Sequence, residues 1–119
     1  MKVKVTPSKV HGNIKIPASK SMAHRALICA SLSDGTSLVS NVTSSKDIEA
    51  TVGCMKALGA IIKQIDETTY EVTGTNLFKQ EGNITCNANE SGSTLRFLIP
   101  LAACTNAKVK FLGQGRLLQ

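Results

Sequence analysis

Residues 19–30 read Ser-Lys-Ser-Met-Ala-His-Arg-Ala-Leu-Ile-Cys-Ala, a serine-rich start followed by an apolar helix. Either Ser19 or Ser21 can act as the N-cap, and Lys20 and Arg25 then lie in the first turns. Cations at a helix start oppose the helix dipole and cost a few tenths of a kcal/mol up to ~1 kcal/mol unless an anion compensates them. Backbone N–H groups, a hydroxyl, a lysine and an arginine together make a phosphate or carboxylate site. The alternative interpretation is a solvated basic turn without a ligand.

A second segment shows the same unusual placement of a cation. Residues 89–99 again put small, hydroxyl-rich residues before an apolar helix, with Arg96 about one turn inside it. The helix predicted at residues 45–58 follows the usual rule, because Asp47 and Glu49 enter its first turn and are stabilised by the dipole. The contrast favours an anionic ligand at the first and third helix starts.

The composition favours small anionic ligands over nucleic acid. The chain has 119 residues, 42% of them hydrophobic, which is enough for one small globular domain with a core. Lysine and arginine outnumber aspartate and glutamate by 14 to 8, so the net charge is +6. There is no Trp, one Tyr, three Phe and no run of basic residues, so the stacking surface expected of a single-strand-binding protein is missing.

The cysteines and the N-terminus indicate a cellular compartment. The four cysteines, Cys29, Cys54, Cys86 and Cys104, form no Cys-x-x-Cys pair, and each falls in an apolar stretch. We therefore expect reduced, mostly buried thiols and no metal site. The N-terminus lacks an apolar signal region, and no stretch approaches the roughly 18 apolar residues that span a bilayer. These features predict a cytoplasmic protein without membrane contact.

Hydrophobic periodicity predicts an α/β fold, of the α+β kind, built from β-α-β-α-β-β units. The first unit spans residues 11–75, and a second unit starts as β-α-β at residues 83–119 and stops unfinished, which is a repeat signal. An unfinished unit predicts a fragment of a longer protein. The predicted strands are 2–6, 12–16, 36–42, 60–66, 69–73, 84–87 and 107–112, and the predicted helices are 19–33, 45–58 and one that contains Pro100 and ends near 105.

A specific motif lies at residues 17–27, Pro-Ala-Ser-Lys-Ser-Met-Ala-His-Arg-Ala-Leu. It is similar to the proline, small residue, serine, lysine, serine, x3, arginine, alanine, leucine signature of the 5-enolpyruvylshikimate-3-phosphate synthases. Further motifs follow in that family's order: Ser-Lys-Asp-Ile at 45–48 with Leu-Gly at 58–59, Ser-Gly-Ser-Thr-Leu-Arg at 91–96, and Gly113 with Arg-Leu at 116–117. The resemblance covers essentially the whole chain, but only the amino-terminal part of these longer enzymes.

The resemblance implies an activity and a set of site residues. Such enzymes transfer the enolpyruvyl group of phosphoenolpyruvate to the 5-hydroxyl of shikimate 3-phosphate and release phosphate, without metal or cofactor, in aromatic amino acid biosynthesis. Their fold has two domains of β-α-β-α-β-β units whose helix starts face the cleft. By motif, Lys20 contacts both substrates and is catalytic, Ser21 and Arg25 hold shikimate 3-phosphate, and Gly92 and Arg96 lie at the phosphoenolpyruvate site. Several cations suit this site, because they offset the repulsion between three acidic groups.

The sequence departs from the family pattern at two positions. Lys46 stands where many relatives have an acidic residue, and Glu90 where the common version has asparagine. The family's Arg-Pro pair just beyond residue 119 and its later acid–base residues are absent, so proton transfer has no assigned donor, and His24 is not assigned that role. We therefore expect a fragment that binds substrate anions, is inactive alone and has the rest of the parent enzyme as its partner.

Two alternatives stay open at this point. The UDP-N-acetylglucosamine enolpyruvyl transferases share the fold, but they have a lysine-asparagine pair where this chain has Lys20 and Ser21. If the chain is complete, it is a non-catalytic module that binds small anions. A scaffold without a ligand would leave Lys20, Arg25 and Arg96 with no common target. The mass of the native protein in a cell extract distinguishes a complete chain from a fragment.

Overall fold

The computed structural model describes residues 1–14 and 16–118. These residues form three α-helices, five β-strands and two short 3-10 turns, which agrees with the predicted mixture of helix and sheet. In chain order the elements are α1 (Lys20–Leu32), β1 (Thr36–Val39), α2 (Lys46–Ala57), β2 (Ile61–Gln64), β3 (Tyr70–Thr73), a 3-10 turn (Leu77–Lys79), β4 (Asn83–Asn87), α3 (Gly92–Ala102), β5 (Lys108–Leu112) and a second 3-10 turn (Gly115–Leu118).

Each helix begins at a serine that caps it. The Ser19 hydroxyl oxygen accepts a hydrogen bond from the Met22 amide at 3.4 Å, so Ser19 rather than Ser21 is the cap of α1. Ser45 and Ser91 cap α2 and α3 in the same way, at 3.3 and 3.2 Å. The helices have 13, 12 and 11 residues, and among the described residues no helix is long and apolar enough to cross a membrane.

The first sheet has three antiparallel strands with β3 in the middle, flanked by β1 and β2. Val72 lies at its centre, opposite Ser37 on one side and Ile62 on the other, and it is fully buried under the helices. The β2–β3 pair is the predicted hairpin, and in its turn the Asp66 carboxylate accepts a hydrogen bond from the Thr68 amide at 2.8 Å. This sheet carries α1 and α2 on one face.

The second sheet consists of β4 and β5, which run parallel. Parallel neighbours need a crossover connection, and α3 supplies it, so this part is the predicted β-α-β start of a second unit. The helix passes through Pro100, as expected, and ends at Ala102, three residues before the predicted end. The loop after β4 therefore delivers the start of α3 beside the start of α2.

One continuous core joins the helices to both sheets. Its fully buried large side chains include Leu27, Ile48, Met55, Leu58 and Leu98. Two of the four free cysteines, Cys54 and Cys86, lie in this core, whereas Cys29 and Cys104 are exposed. The prediction of mostly buried thiols is therefore wrong for half of them, because Cys29 lies on the exposed face of α1 and Cys104 lies in the turn after α3, and an apolar neighbourhood in the sequence specifies neither.

The prediction of two strands near the N-terminus is wrong. Residues 2–6 form no strand, and neither do residues 12–14 and 16, while Lys15 lies outside the described residues. A strand needs a neighbour for its N–H and C=O groups, and no described strand pairs with this segment. Alternation alone therefore wrongly predicted strands in this segment. The apolar residues of the segment are exposed: Val3, Val5, Val10, Ile14 and Ile16.

Candidate anion-binding site

Lys20 is the first residue of α1, and its ammonium forms an ion pair with the carboxylate of Asp47, the second residue of α2. The Lys20 side chain is 54% exposed, so the pair is open to solvent. Exposed pairs contribute only ~0–1 kcal/mol, which means that Asp47 orients the ammonium without removing it from use by a ligand. The sequence placed Asp47 correctly in the first turn of α2 but gave no sign that Lys20 would reach it.

Asp47 also connects α2 to α3. Its backbone carbonyl oxygen lies 3.3 Å from the hydroxyl oxygen of Thr94, the third residue of α3. The starts of all three helices therefore meet around one residue. Their free N–H groups and positive dipole ends lie at this junction together with the ammonium of Lys20, which is paired with the Asp47 carboxylate.

Gly92 opens α3 behind the Ser91 cap and is half-buried. A Cβ placed on Gly92 would find the Leu117 Cδ1 atom at 3.9 Å, an ordinary van der Waals contact, and its φ is not positive. Neither packing nor backbone conformation therefore requires glycine at this position. A glycine leaves room for a ligand to approach the N–H groups of the helix start closely.

Arg25 and Arg96 occupy different surroundings. The Arg25 guanidinium donates a hydrogen bond to the Ser21 carbonyl at 3.0 Å and lies 5.1 Å from the centre of the Phe97 ring on α3, within cation–π range. Arg25 and Ser21 are thus joined, and Arg25 bridges α1 to α3. Arg96 is exposed one turn into α3, and within the described residues no hydrogen bond or ion pair joins it to the other candidates.

Beneath these groups lies a chain of buried polar side chains that the sequence did not reveal. His24 Nδ1 is 2.7 Å from the Thr51 hydroxyl, which is 2.7 Å from the Thr94 hydroxyl, which donates to the Ser91 hydroxyl at 2.7 Å. His24 is 1% exposed. Burial lowers the pKa of the imidazole, an effect opposed by the Asp47 carboxylate and reinforced by the nearby cations of α1.

A cavity of about 430 Å³ opens between the start of α2 and the loop before α3. It holds both departures from the family pattern, Lys46 and Glu90, and its lining residues are Lys46, Asp47, Glu49, Asn89, Glu90 and Gln114. Three carboxylates and one ammonium line this cavity, so its walls do not favour an anion. Within the described residues, no three His, Cys, Asp or Glu side chains gather at metal-binding distances.

The last motif of the sequence packs against the start of α3. The backbone N–H of Gln114 donates a hydrogen bond to the backbone carbonyl of Asn89 at 2.8 Å. The Leu117 side chain lies against both Gly92 and Gly113. Gly115 has a φ of +57°, a conformation that favours glycine, and a Cβ there would displace the carboxylate of Glu90, an exposed and flexible side chain. The motifs at 91–96 and 113–117 are therefore neighbours in space.

Comparison with known proteins identifies the family. The family model of EPSP synthase (3-phosphoshikimate 1-carboxyvinyltransferase) matches residues 4–119. The 3-phosphoshikimate 1-carboxyvinyltransferase of Clostridium perfringens is 52% identical over 116 residues, which are 98% of this chain and 27% of that protein. The enzyme of the same name from Clostridium kluyveri is 48% identical over 117 residues, again 98% of this chain and 27% of the relative.

The fold agrees with this match. The structure of EPSP synthase from Acinetobacter baumannii superimposes with a TM-score of 0.77 at 19% identity, over 89% of this chain and 24% of that one. The chain spans 27% of the length of the curated relatives above. With the sequence match extending over nearly all of its residues, the chain belongs to the EPSP synthase, or 3-phosphoshikimate 1-carboxyvinyltransferase, family.

Proposed function

We propose that this chain supplies part of the substrate-binding site of an enzyme that transfers the enolpyruvyl group of phosphoenolpyruvate to the 5-hydroxyl of shikimate 3-phosphate. In that reaction the bond between the enol carbon and the phosphate oxygen breaks, a bond to the 5-hydroxyl oxygen forms, and inorganic phosphate leaves. Lys20 contacts both substrates, Ser21 and Arg25 hold shikimate 3-phosphate, and Gly92 and Arg96 serve phosphoenolpyruvate.

The single observation that carries this proposal is the meeting of three helix starts at Asp47. Lys20 reaches Asp47 from α1, and Thr94 reaches it from α3. Two phosphates and one carboxylate repel one another when they are brought within a few ångströms, and cations in fixed positions offset that repulsion. The positive ends of three helix dipoles, together with the cations Lys20 and Arg25 of α1, supply such fixed charge before the substrates bind.

Asp47 has a definite role in this proposal. An ammonium on a four-carbon chain adopts many rotamers, and holding it costs up to about 2 kcal/mol of side-chain entropy. The Asp47 carboxylate restricts the Lys20 ammonium to the junction, and the exposure of the pair leaves room for a phosphate to contact the same ammonium. Asp47 therefore pre-organises Lys20 for the ligand.

We further propose that residues 11–75 correspond to the first repeat unit and residues 83–119 to the start of the second. Because the chain spans 27% of its curated relatives, the walls of the complete cleft and the proton donor belong to the remainder of the enzyme. The substrates and product of this reaction are small soluble anions, and we propose that the enzyme acts in the cytoplasm.

A pair of ligands tests the proposal directly. We expect shikimate 3-phosphate to shift the amide NMR signals of Lys20, Ser21, Gly92 and Ser93 in the 119-residue chain, weakly and only at low salt, because the junction is open to solvent. Shikimate without its phosphate is the matched control and should shift none of them. Equal shifts with both compounds, or shifts confined to the sheet of β1, β2 and β3, would show that the junction is not a phosphate site.

A further inference from the structure

The donors and acceptors around Thr94 favour one direction for the buried polar chain beneath the junction. Thr94 donates its single hydroxyl proton to the Ser91 oxygen at 2.7 Å, and the other nearby acceptor, the Asp47 carbonyl at 3.3 Å, cannot donate in return. With that proton used, Thr94 accepts a hydrogen bond from Thr51, 2.7 Å away, although the geometry of this pair by itself allows either hydroxyl to donate. Since the Thr51 proton is then used, the Nδ1 atom of His24 must donate to Thr51.

This direction assigns the tautomer of His24. In this arrangement the neutral ring carries its proton on Nδ1, and Nε2, which is buried and has no hydrogen-bond partner among the described residues, keeps a bare lone pair. A second proton would place a buried charge near two cations of its own helix, Lys20 and Arg25, with only Asp47 of α2 to oppose them. The ring is consequently held neutral with a defined donor.

The chain ends at the cap of α3. Ser91 is 2% exposed, and its oxygen accepts hydrogen bonds from both the amide and the hydroxyl of Thr94. Its cap role uses the Thr94 amide, and within the part of the chain that the structure describes no hydrogen bond uses the Gly92 or Ser93 amide, so both are available to a ligand. Through Thr51 on α2 and His24 on α1, the direction of these free amides is tied to the helices that carry Lys20 and Arg25.

We propose that His24 and Thr51 are positioning residues for the anion site: the chain from His24 through Thr51 and Thr94 to Ser91 aims the start of α3 at the ligand held by α1. This inference rests on the proposed function for the identity of the ligand. Neither residue touches the ligand, since both are buried beneath the junction. The effect passes through the hydrogen-bond chain alone, which requires a donor at the position of His24 Nδ1.

Isosteric variants separate this role from simple packing. Thr51→Val removes the hydroxyl and keeps the shape, while Thr51→Ser keeps the hydroxyl. His24→Asn places an amide N–H near the position of Nδ1, whereas His24→Gln places it near Nε2.

We expect Thr51→Val and His24→Gln to weaken inorganic phosphate binding by roughly fivefold to tenfold, the effect of about one lost hydrogen bond, and the other two variants to bind within about twofold of wild type. Combining Thr51→Val with His24→Gln should weaken binding no further, because both interrupt the same chain.

The experiment is NMR on the ¹⁵N-labelled chain with inorganic phosphate as the probe, with urea unfolding to confirm that each variant is folded at the titration conditions. We expect the ring nitrogen signals of wild-type His24 to show a proton on Nδ1 and none on Nε2. A protonated Nε2 with a bare Nδ1, or wild-type affinity in both Thr51→Val and His24→Gln, overturns the proposal. An equal loss of phosphate affinity in Thr51→Val and Thr51→Ser also overturns it, because altered packing would then explain the loss.

The two proposals fail in different ways. If the wild-type chain binds no phosphate, the proposed function is overturned. The positioning role can still be tested in that case, because the tautomer of His24 and the amide signals of Gly92 and Ser93 are measured without added phosphate. Those amide signals should move in Thr51→Val and stay in Thr51→Ser, and unmoved signals in both variants overturn it.

Discussion

At the scale of single residues, the sequence predicted which charged residues belong to the candidate site but not which residues they contact. Lys20, Arg25 and Gly92 were identified from a motif and from cations placed against a helix dipole, both of which are local signals. The ion pair of Lys20 with Asp47 and the hydrogen bond between His24 and Thr51 each join residues that are 27 positions apart along the chain. Only the packing of α1 against α2 creates these two contacts. No local pattern carries that information.

Gly92→Ala tests whether this glycine serves a ligand. Because the new methyl group meets only an ordinary contact with Leu117, we expect the free energy of unfolding to stay the same or to rise by about 0.5–1 kcal/mol, as for Gly→Ala in a helix. Phosphate affinity should nevertheless fall, because the methyl group covers the N–H groups of α3. Gly53→Ala, in the open on α2, is the matched control and should change stability without changing affinity. A Gly92→Ala chain that binds phosphate normally would remove this residue from the site.

His24 predicts a pH dependence of stability. Its folded pKa lies below the usual value near 6.5, so the folded state binds fewer protons than the unfolded state at mildly acidic pH. The contribution of the neutral ring is therefore complete above about pH 6.5 and is lost as the pH falls from there through the lowered folded pKa. Urea unfolding between about pH 7.5 and 5.5 should show a steeper loss of stability for wild type than for His24→Asn. Parallel curves would mean that His24 titrates as it does in the unfolded chain.

At the scale of elements, what could be predicted depended on how local the signal is. Serine caps and apolar periodicity placed the starts of α1 and α2 within one residue, because these signals lie inside the helix that they specify. The strand predicted at residues 36–42 stops at Val39, since Asn41 has a φ of +57° and cannot continue an extended strand. The two strands predicted near the N-terminus are not formed, because their pairing depends on a neighbouring strand that the segment itself does not encode.

The serine caps should differ in their contribution to stability. Ser91 is buried and accepts two hydrogen bonds, whereas Ser19 is exposed and accepts one at 3.4 Å. We expect Ser91→Ala to cost about 2 kcal/mol of unfolding free energy, the upper end for a cap, and Ser19→Ala about 0.5 kcal/mol. Urea denaturation of the two variants beside wild type measures the difference. Equal losses would contradict a buried network at the start of α3.

At the scale of the whole molecule, the starts of the three helices meet at Asp47. The net charge of +6 favours anionic ligands, and in our proposal this junction is where they bind. The sequence could not predict that Lys46 and Glu90 line one cavity, because the two positions come together only when β4 and α2 pack. The chain spans 27% of the length of its curated relatives, so its sequence could not predict any part of the proposed site that the rest of the enzyme supplies.

The 119-residue chain alone should not catalyse enolpyruvyl transfer. The motifs present supply cations, hydroxyls and helix starts for holding anions, but no assigned group delivers a proton to carbon, and bulk water weakens the fixed charges. Phosphate release from phosphoenolpyruvate and shikimate 3-phosphate should stay at background with the purified chain. Turnover that scales with the concentration of the chain and disappears in Lys20→Ala would contradict this expectation.

The most direct measurement is the affinity for shikimate 3-phosphate of two variants with the same net charge, Lys20→Ala and Lys56→Ala. Each removes one lysine, but Lys20 lies at the junction and Lys56 lies in the last turn of α2. At equal ionic strength, we expect calorimetry or NMR titration to show a roughly threefold to tenfold loss for Lys20→Ala, as for an exposed charge contact of about 1 kcal/mol, and at most about a twofold change for Lys56→Ala. Equal losses in both variants would mean that overall charge, and not the junction of the three helix starts, attracts the ligand.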